Sequence, residues 1–405
     1  MASVGLRSGA GMLVGDGSAS AKHAAEVLGT LRGLAAKVGQ MASYVDGIVP
    51  EEHKEAYETA LKGLRAAAPT SSPTEARAAI EEQLEAPIDR LFSRFEDAPI
   101  ASASIGQVHR AWLPTGEAVA VKVQHPGIHR ALESDLSNAS VLGSMVGAAA
   151  GSRFKTKEQI EMVKKRFREE LDYGLEAERV TMFGGFHEGD PSIRIPAVVK
   201  DRSAARVLTT DYMEGYGFEE ACEKPEALRR KFAETMWRFV FKGNLVHKHF
   251  NADPHPGNYL FRDDGNVVFL DFGCVQAISD DKNRLARNVH LAALSGDERG
   301  MLDATRGLIG MKPGRLEPLA LDYMRACMRP IRESPFRVTR PYAASLVEGM
   351  KLLATTARKV DESEFFDMPR DQLFMNRLQF GFYSVLARLD VEVDYAAVER
   401  EFLSV

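Results

Sequence analysis

Asp253-Pro254-His255-Pro256-Gly257-Asn258, followed downstream by Asp271-Phe272-Gly273, decides what kind of molecule this chain is. An aspartate stands five positions before an asparagine, and residues 266–270 read as a short strand that delivers a second aspartate. This order suits phosphoryl transfer. One carboxylate, Asp253, orients or deprotonates an attacking hydroxyl. Asn258 and Asp271 supply the oxygen ligands that a magnesium ion on nucleotide phosphates prefers. Each fragment alone is common in loops; both together, in this order and at this separation, are not.

Upstream lies Val119-Ala120-Val121-Lys122, on a segment that reads as a strand. A lysine so placed in protein kinases contacts the nucleotide's α and β phosphates and pairs with a glutamate on a helix. Before it comes a loop in the register of the kinase G-x-G-x-x-G-x-V motif. Here it is Ala101-Ser102-Ala103-Ser104-Ile105-Gly106-Gln107-Val108, with alanine at the first two glycine positions. A Cβ disfavours positive φ and limits how closely backbone approaches phosphate. The loop is therefore expected to cover a nucleotide in an altered pose, with the Ser102 and Ser104 hydroxyls adding hydrogen bonds. Residues 206–215 fit a strand ending in a hinge, which places Asp211, Tyr212 and Met213 against adenine. His247, His249 and His255 lie in or before the loop at Asp253, where packing and loop hydrogen bonds explain them better than zinc does. Trp112 and Trp237 read as core residues.

Around these motifs the chain is ordinary. Its 405 residues exceed a usual single domain, and 45% hydrophobic with 27% charged residues excludes wholesale disorder. A net charge of −5 gives no general drive toward nucleic acid or an anionic surface. Three scattered cysteines, Cys222, Cys274 and Cys327, exclude a disulfide scaffold and suit a reducing compartment. No run reaches eighteen apolar residues, and no secretory signal opens the chain. Residues 1–91 hold only Tyr44 and Tyr57 of the 33 aromatics, so they are expected to pack as helices on something else.

The combination resembles the UbiB (AarF) family of atypical protein-kinase-like proteins, associated with ubiquinone and other prenyl-lipid metabolism. Lys37-Val38-Gly39-Gln40 matches the family's K-x-G-Q signature, and Glu170-Leu171-Asp172 its E-x-D motif, with Glu176 following. The alanine-rich loop and the form of the loop at Asp253 match as well. The resemblance covers roughly residues 28–273. It implies an α+β, bilobal kinase-like fold, ATP and Mg2+ as cofactors, and a helix carrying Lys37 and Gln40 across the active site. Asp172 and Glu176 are four apart and share a helix face, so Glu176 is favoured over Glu170 as the partner of Lys122. Glu170 and Asp172 are then candidates to anchor Lys37.

The expected organisation is a flexible arm at 1–20, a helical extension at 21–98, a small sheet-containing lobe at 99–211 with a helical insertion, and a helical lobe at 212–405. Residues 69–73 read as a linker, 128–178 as helical, and 195–199 with 206–211 as a strand pair. A helix restarts near Ser279, which leaves no room for a long activation loop. The expected activity is phosphoryl transfer or ATP hydrolysis by a cytoplasmic enzyme. A nucleotide-gated scaffold or lipid-binding chaperone is the alternative, and a small-molecule kinase the weaker one. Expected partners are the nucleotide, a lipid or quinone precursor, peripheral membrane contact and a second copy as a homodimer, with no nucleic acid. The chain ends on an amphipathic pattern at 394–405, without the C-terminal membrane anchor that some relatives carry.

Overall fold

The computed structural model describes residues 71–102, 105–137, 161, 164–165, 167–310, 312–357 and 372–403. Lys37, Gln40, Ala103 and Ser104 lie outside them, as does the rest of the proposed extension before residue 71. The chain divides into two compact units. One takes the described residues up to Thr181 together with Pro196–Met213; the other takes Met182–Ile195 and everything described from Glu214 onward.

The first unit opens with α1 (Pro73–Leu84). Ser72 caps it: its hydroxyl accepts from Glu75 N at 3.3 Å, and the Glu75 carboxylate accepts from Ser72 N at 2.8 Å. Pro73 at the first helical position needs no amide partner there. The expected linker at 69–73 thus ends in a helix start. After α2 (Ile88–Leu91) come β1 (Arg94–Phe95), β2 (Ala101–Ser102), β3 (Gly106–Trp112) and β4 (Ala118–Gln124). Then follow α3 (Ile128–Ser137) and α4 (Tyr173–Phe186), whose residues from Met182 belong to the second unit. The chain passes through β5 (Ile193–Arg194), also of the second unit, and returns as β6 (Val207–Asp211).

These strands form a five-stranded antiparallel sheet in the order β1-β3-β4-β6, with β2 on β3. It already includes Arg94–Phe95, ahead of residue 99. Strict alternation in β4 sends Val119, Val121 and Val123 into a core with Ala76, Ile80, Leu91, Phe92, Ala111 and Val207. Register places the other side chains in rows on the opposite face: Val108 with Lys122 and Leu208, Arg110 with Ala120 and Thr210.

Three local expectations are corrected. The helical stretch expected through residue 178 breaks at Leu171 and Asp172, because the Asp172 carboxylate accepts from Leu175 N at 3.0 Å and caps α4. Asp172 therefore precedes the helix instead of sharing a face with Glu176. The pairing expected between 195–199 and 206–211 is shorter than a strand: Val198 bridges to Thr210, with Val199 N donating to Thr209 O at 2.8 Å and Asp211 N to Ala197 O at 2.9 Å, while β5 just before it runs parallel to Val267–Val268. Trp112 is half-buried, with the guanidinium groups of Arg94 and Arg110 at 4.4 Å and 4.8 Å from its ring.

The second unit is built on α6 (Glu226–Leu245), preceded by α5 (Phe218–Glu223). Trp237 of α6 is fully buried, and its indole N–H donates to Glu399 at 3.0 Å. Two small sheets follow. In one, β8 (Tyr259–Phe261) pairs antiparallel with β9 (Val267–Phe269), which also takes β5; in the other, β7 (His249–Asn251) pairs with β10 (Val275–Ala277). Helix α7 (Asp280–Ser295) begins after Ser279, and the remainder is mainly helical.

Candidate nucleotide and phosphoryl-transfer residues

In the first unit, β4 carries Lys122 on the sheet face away from the valine core. Its Nζ lies 2.7 Å and 2.9 Å from the two carboxylate oxygens of Glu176. Glu176 is 3% exposed, so the pair is partly desolvated and strongly held by geometry. Two features place Glu176. Asp172 starts α4 one turn earlier, and Arg179 ties the same helix to Glu169 through a 2.7 Å ion pair. Lys122 Nζ also sits 4.9 Å from the centre of the Tyr173 ring.

Val108 is directly opposite Lys122 and shares its face. Ala101 pairs with Val108, and Ser102 with Gln107, so the front of the loop is a strand. Gly106 is buried, and a Cβ there would lie 2.4 Å from Val123 O and 2.8 Å from the Tyr173 hydroxyl. Its glycine is thus required by packing against β4 and Tyr173. At the other end, Asp211 is exposed and its carboxylate accepts from Ala197 N at 3.2 Å. Tyr212 N donates to Ala118 O at 3.0 Å, continuing the ladder toward half-buried Met213.

In the second unit, the loop at Asp253 is braced at each step. His255 Nδ1 accepts from Gly257 N at 2.9 Å, and Asn258 N donates to His255 O at 2.9 Å. Asn258 Nδ2 donates to Asp253 O at 3.1 Å, which leaves Oδ1 as the end of the amide not engaged by Asp253. Leu270 N donates to Asn258 O at 3.0 Å, so the strand leading to Asp271 is tied to the loop. Asp271 Oδ1 accepts from Gly273 N at 3.0 Å, while Phe272 is fully buried with its ring 5.0 Å from that of Phe183. Burial, with the Asp253 carboxylate nearby, holds the Tyr259 hydroxyl well above its usual range. The oxygen donors of Asn258 and Asp271 are chemically suited to Mg2+. His249 Nδ1 donates to His247 O at 2.8 Å, and the His247 ring stacks on Phe186 at 4.3 Å.

Two residues escaped the sequence reading. Tyr173, immediately after the E-x-D motif, touches both Lys122 and the space beside Gly106. Asn251 donates through Nδ2 to Asp271 O at 2.6 Å and accepts at Oδ1 from Asp253 N at 3.2 Å. Its position two residues before Asp253 is the spacing of an Asx turn, a signal the sequence did contain.

A strand lysine bonded to a buried helix glutamate, on an antiparallel sheet that precedes a mainly helical unit, is the arrangement of protein-kinase-like proteins. The chain belongs to the ABC1 atypical kinase-like family, which includes the UbiB and AarF proteins: the model of the ABC1 atypical kinase-like domain matches residues 63–305. It is 32% identical over 263 residues to a probable protein kinase UbiB of Marinobacter nauticus, covering 62% of this chain and 47% of that one. It is also 32% identical over 305 residues to AarF domain-containing protein kinase 1 of Gallus gallus, covering 71% and 56%. The chain spans about half the length of the curated relatives it matches. Among solved structures, the Rv3197-erythromycin complex from Mycobacterium tuberculosis matches with a TM-score of 0.63 and 28% identity, over 93% of each chain.

Proposed function

We propose that the chain binds ATP with Mg2+ and either transfers the γ-phosphoryl group to a small or lipid-linked acceptor or hydrolyses it. The observation that carries this is the Lys122–Glu176 pair at 2.7 Å, the geometry a kinase lysine needs to meet nucleotide phosphates. Val108 and Ala120, on the same face, line the nucleotide side of the sheet, together with Ala101, Ser102, Gly106 and the hinge residues Asp211 and Met213. Asp253 orients the attacking hydroxyl or water. Asn258 and Asp271 hold Mg2+, which neutralises charge developing on the phosphates. Lys37 and Gln40, outside the described residues, are proposed to take part in the same reaction on the family signature alone.

The segment after Gly273 favours a non-peptide acceptor. Val275–Ala277 pairs at once with His249–Asn251, and α7 starts at Asp280, so a long peptide-docking segment has no place there. Family membership points to quinone or other prenyl-lipid metabolism. No described helix is long and apolar enough to cross a membrane. The membrane contact proposed is peripheral, and the place of action proposed is the cytoplasm.

The test is phosphate release from ATP, with and without anionic lipid and a phenolic quinone-precursor analogue. Asp271→Asn should abolish the magnesium-dependent release; unchanged release would refute the assignment. The solved Mycobacterium structure favours a second reading, a nucleotide-gated binding protein for bulky apolar small molecules. Erythromycin binding that depends on ATP but proceeds without hydrolysis would favour that reading.

A further inference from the structure

We infer that Gly381, on a long helix of the second unit, is a positioning residue for the Asp253 loop, because its missing side chain lets that helix seat against Pro254. The inference deepens the phosphoryl-transfer reading and rests on it.

The helix spans Gln372–Leu389, beyond residues 63–305 that the family model matches. Glycine weakens a helix interior relative to alanine, so a glycine near the middle calls for a packing reason. The reason is Pro254. A Cβ on Gly381 would lie 2.6 Å from Pro254 Cγ, 3.6 Å from Cδ and 3.7 Å from Cβ. The proline ring therefore rests on bare helix backbone, and both residues are buried. Pro254 is joined covalently to Asp253, the group proposed to orient the attacking oxygen.

The helix is the fixed side of this contact. Every residue from Gly381 to Ala387 is buried. The Phe382 and Tyr383 rings lie 6.1 Å and 6.0 Å from the ring of buried Trp237. The Tyr383 hydroxyl donates to Cys327 O at 3.3 Å, and the Arg388 guanidinium donates to the Glu219 carboxylate at 2.6 Å. The loop is the looser side: His255 and Asn258 are half-buried and Gly257 is exposed. A methyl group at position 381 is therefore accommodated by movement of the loop. Carbon atoms meet favourably at about 3.5–4.0 Å, so the 2.6 Å approach must open by about 1 Å. A misplacement of that size can cost about 10²-fold in rate. The collision is with the ring carbon Cγ. Alanine at position 254 keeps only Cβ, already at an ordinary contact of 3.7 Å, and so removes the collision without touching the helix.

The experiment compares wild type with Gly381→Ala, Pro254→Ala and the double variant. It measures Mg2+-dependent phosphate release from ATP, with the lipid and the phenolic analogue present, and ATP affinity. Gly381→Ala should lower the turnover number by about 10²-fold while leaving ATP affinity unchanged. In the Pro254→Ala background the same glycine substitution should cost far less, because the colliding ring carbon is gone. Equal turnover numbers for wild type and Gly381→Ala overturn the role of Gly381 alone. So does an equal fall in both backgrounds, which places the effect elsewhere than at Pro254. A Gly381→Ala protein that loses ATP affinity in step with turnover is disrupted generally, and positioning is again overturned. If wild type shows no Mg2+-dependent phosphate release, the phosphoryl-transfer reading is overturned and this role falls with it.

Discussion

Acidification should unload stability through one residue, His187. It follows α4 in the second unit, is 4% exposed, and stacks on the Phe239 ring at 4.9 Å with the Phe183 ring at 6.4 Å. Among the described residues neither ring nitrogen has a hydrogen-bond partner. Burial first, then the charges of Lys242 and His247, lower its pKa from 6.5 to about 3, against a weaker opposing pull from Asp190. The unfolded chain takes up this proton near pH 6.5, whereas the folded chain refuses it until about pH 3. Between those values the unfolded state holds the extra proton. The contribution of neutral His187 is therefore complete above about pH 6.5 and is lost as pH falls toward 3. At about 1.4 kcal/mol for each pKa unit, the full loss is about 5 kcal/mol, of which about 3 kcal/mol is gone by pH 4. The assay is urea denaturation of wild type and His187→Phe from about pH 8 to about pH 4. Phenylalanine keeps the aromatic stack and removes both nitrogens. Differences in packing shift the two curves by a constant, so the diagnostic is the difference between them. It should widen in favour of the variant below pH 6.5, at up to about 1.4 kcal/mol per pH unit. A difference that stays flat down to pH 4 would show that His187 is protonated or solvated in the fold and would refute the reasoning.

Three further substitutions test the first unit. Lys122→Met removes the lysine from a carboxylate that is 3% exposed and should cost about 3–5 kcal/mol, read as a fall in melting temperature. Adding Glu176→Leu should restore much of it without restoring nucleotide binding, because an apolar pair replaces a buried ionic one at little cost; a double variant no more stable than the single one contradicts this. Gly106→Ala places a Cβ 2.4 Å from Val123 O and should destabilise by about 1–3 kcal/mol through overpacking, with weakened nucleotide binding. An alanine variant that melts with wild type would mean that β3 and Tyr173 can move apart freely.

What could be read from sequence was what is settled locally. Alternation in β4 shows which residues enter the core, and hence that Lys122 lies on the other face. The start of α7 followed from Ser279 and its acidic first turn, and the Glu-rich helix expected after the linker at 69–73 is α1, whose start is marked by Ser72 and Glu75. The failures have different causes, one of them a partner distant along the chain. Ile193–Arg194 becomes a strand because Val267–Val268 lies beside it, and nothing near residue 193 encodes that. Trp112 stands outside the core because alternation in β3 turns Ala111 inward and Trp112 to the other face, where Arg94 and Arg110 cover its ring. Asp172 reads as a helix-face residue by spacing, yet its short carboxylate competes for the backbone and starts a new helix.

The same distinction bears on the alanine-for-glycine loop. Counted as lost glycines, Ala101 and Ala103 suggest a loop hampered in meeting phosphate. At Ala101 that inference does not hold. The residue lies in β2, paired with Val108, and Ile100 N donates to Val108 O at 2.8 Å. Extended backbone accepts a Cβ without strain, and a side chain there gives the short strand more to hold than glycine would. At Gly106 the glycine is retained for a reason unrelated to phosphate, since Val123 O and Tyr173 occupy the space a Cβ needs. At its described positions the composition of this loop therefore records how β2, β3 and β4 pack, while Ala103 lies outside the described residues.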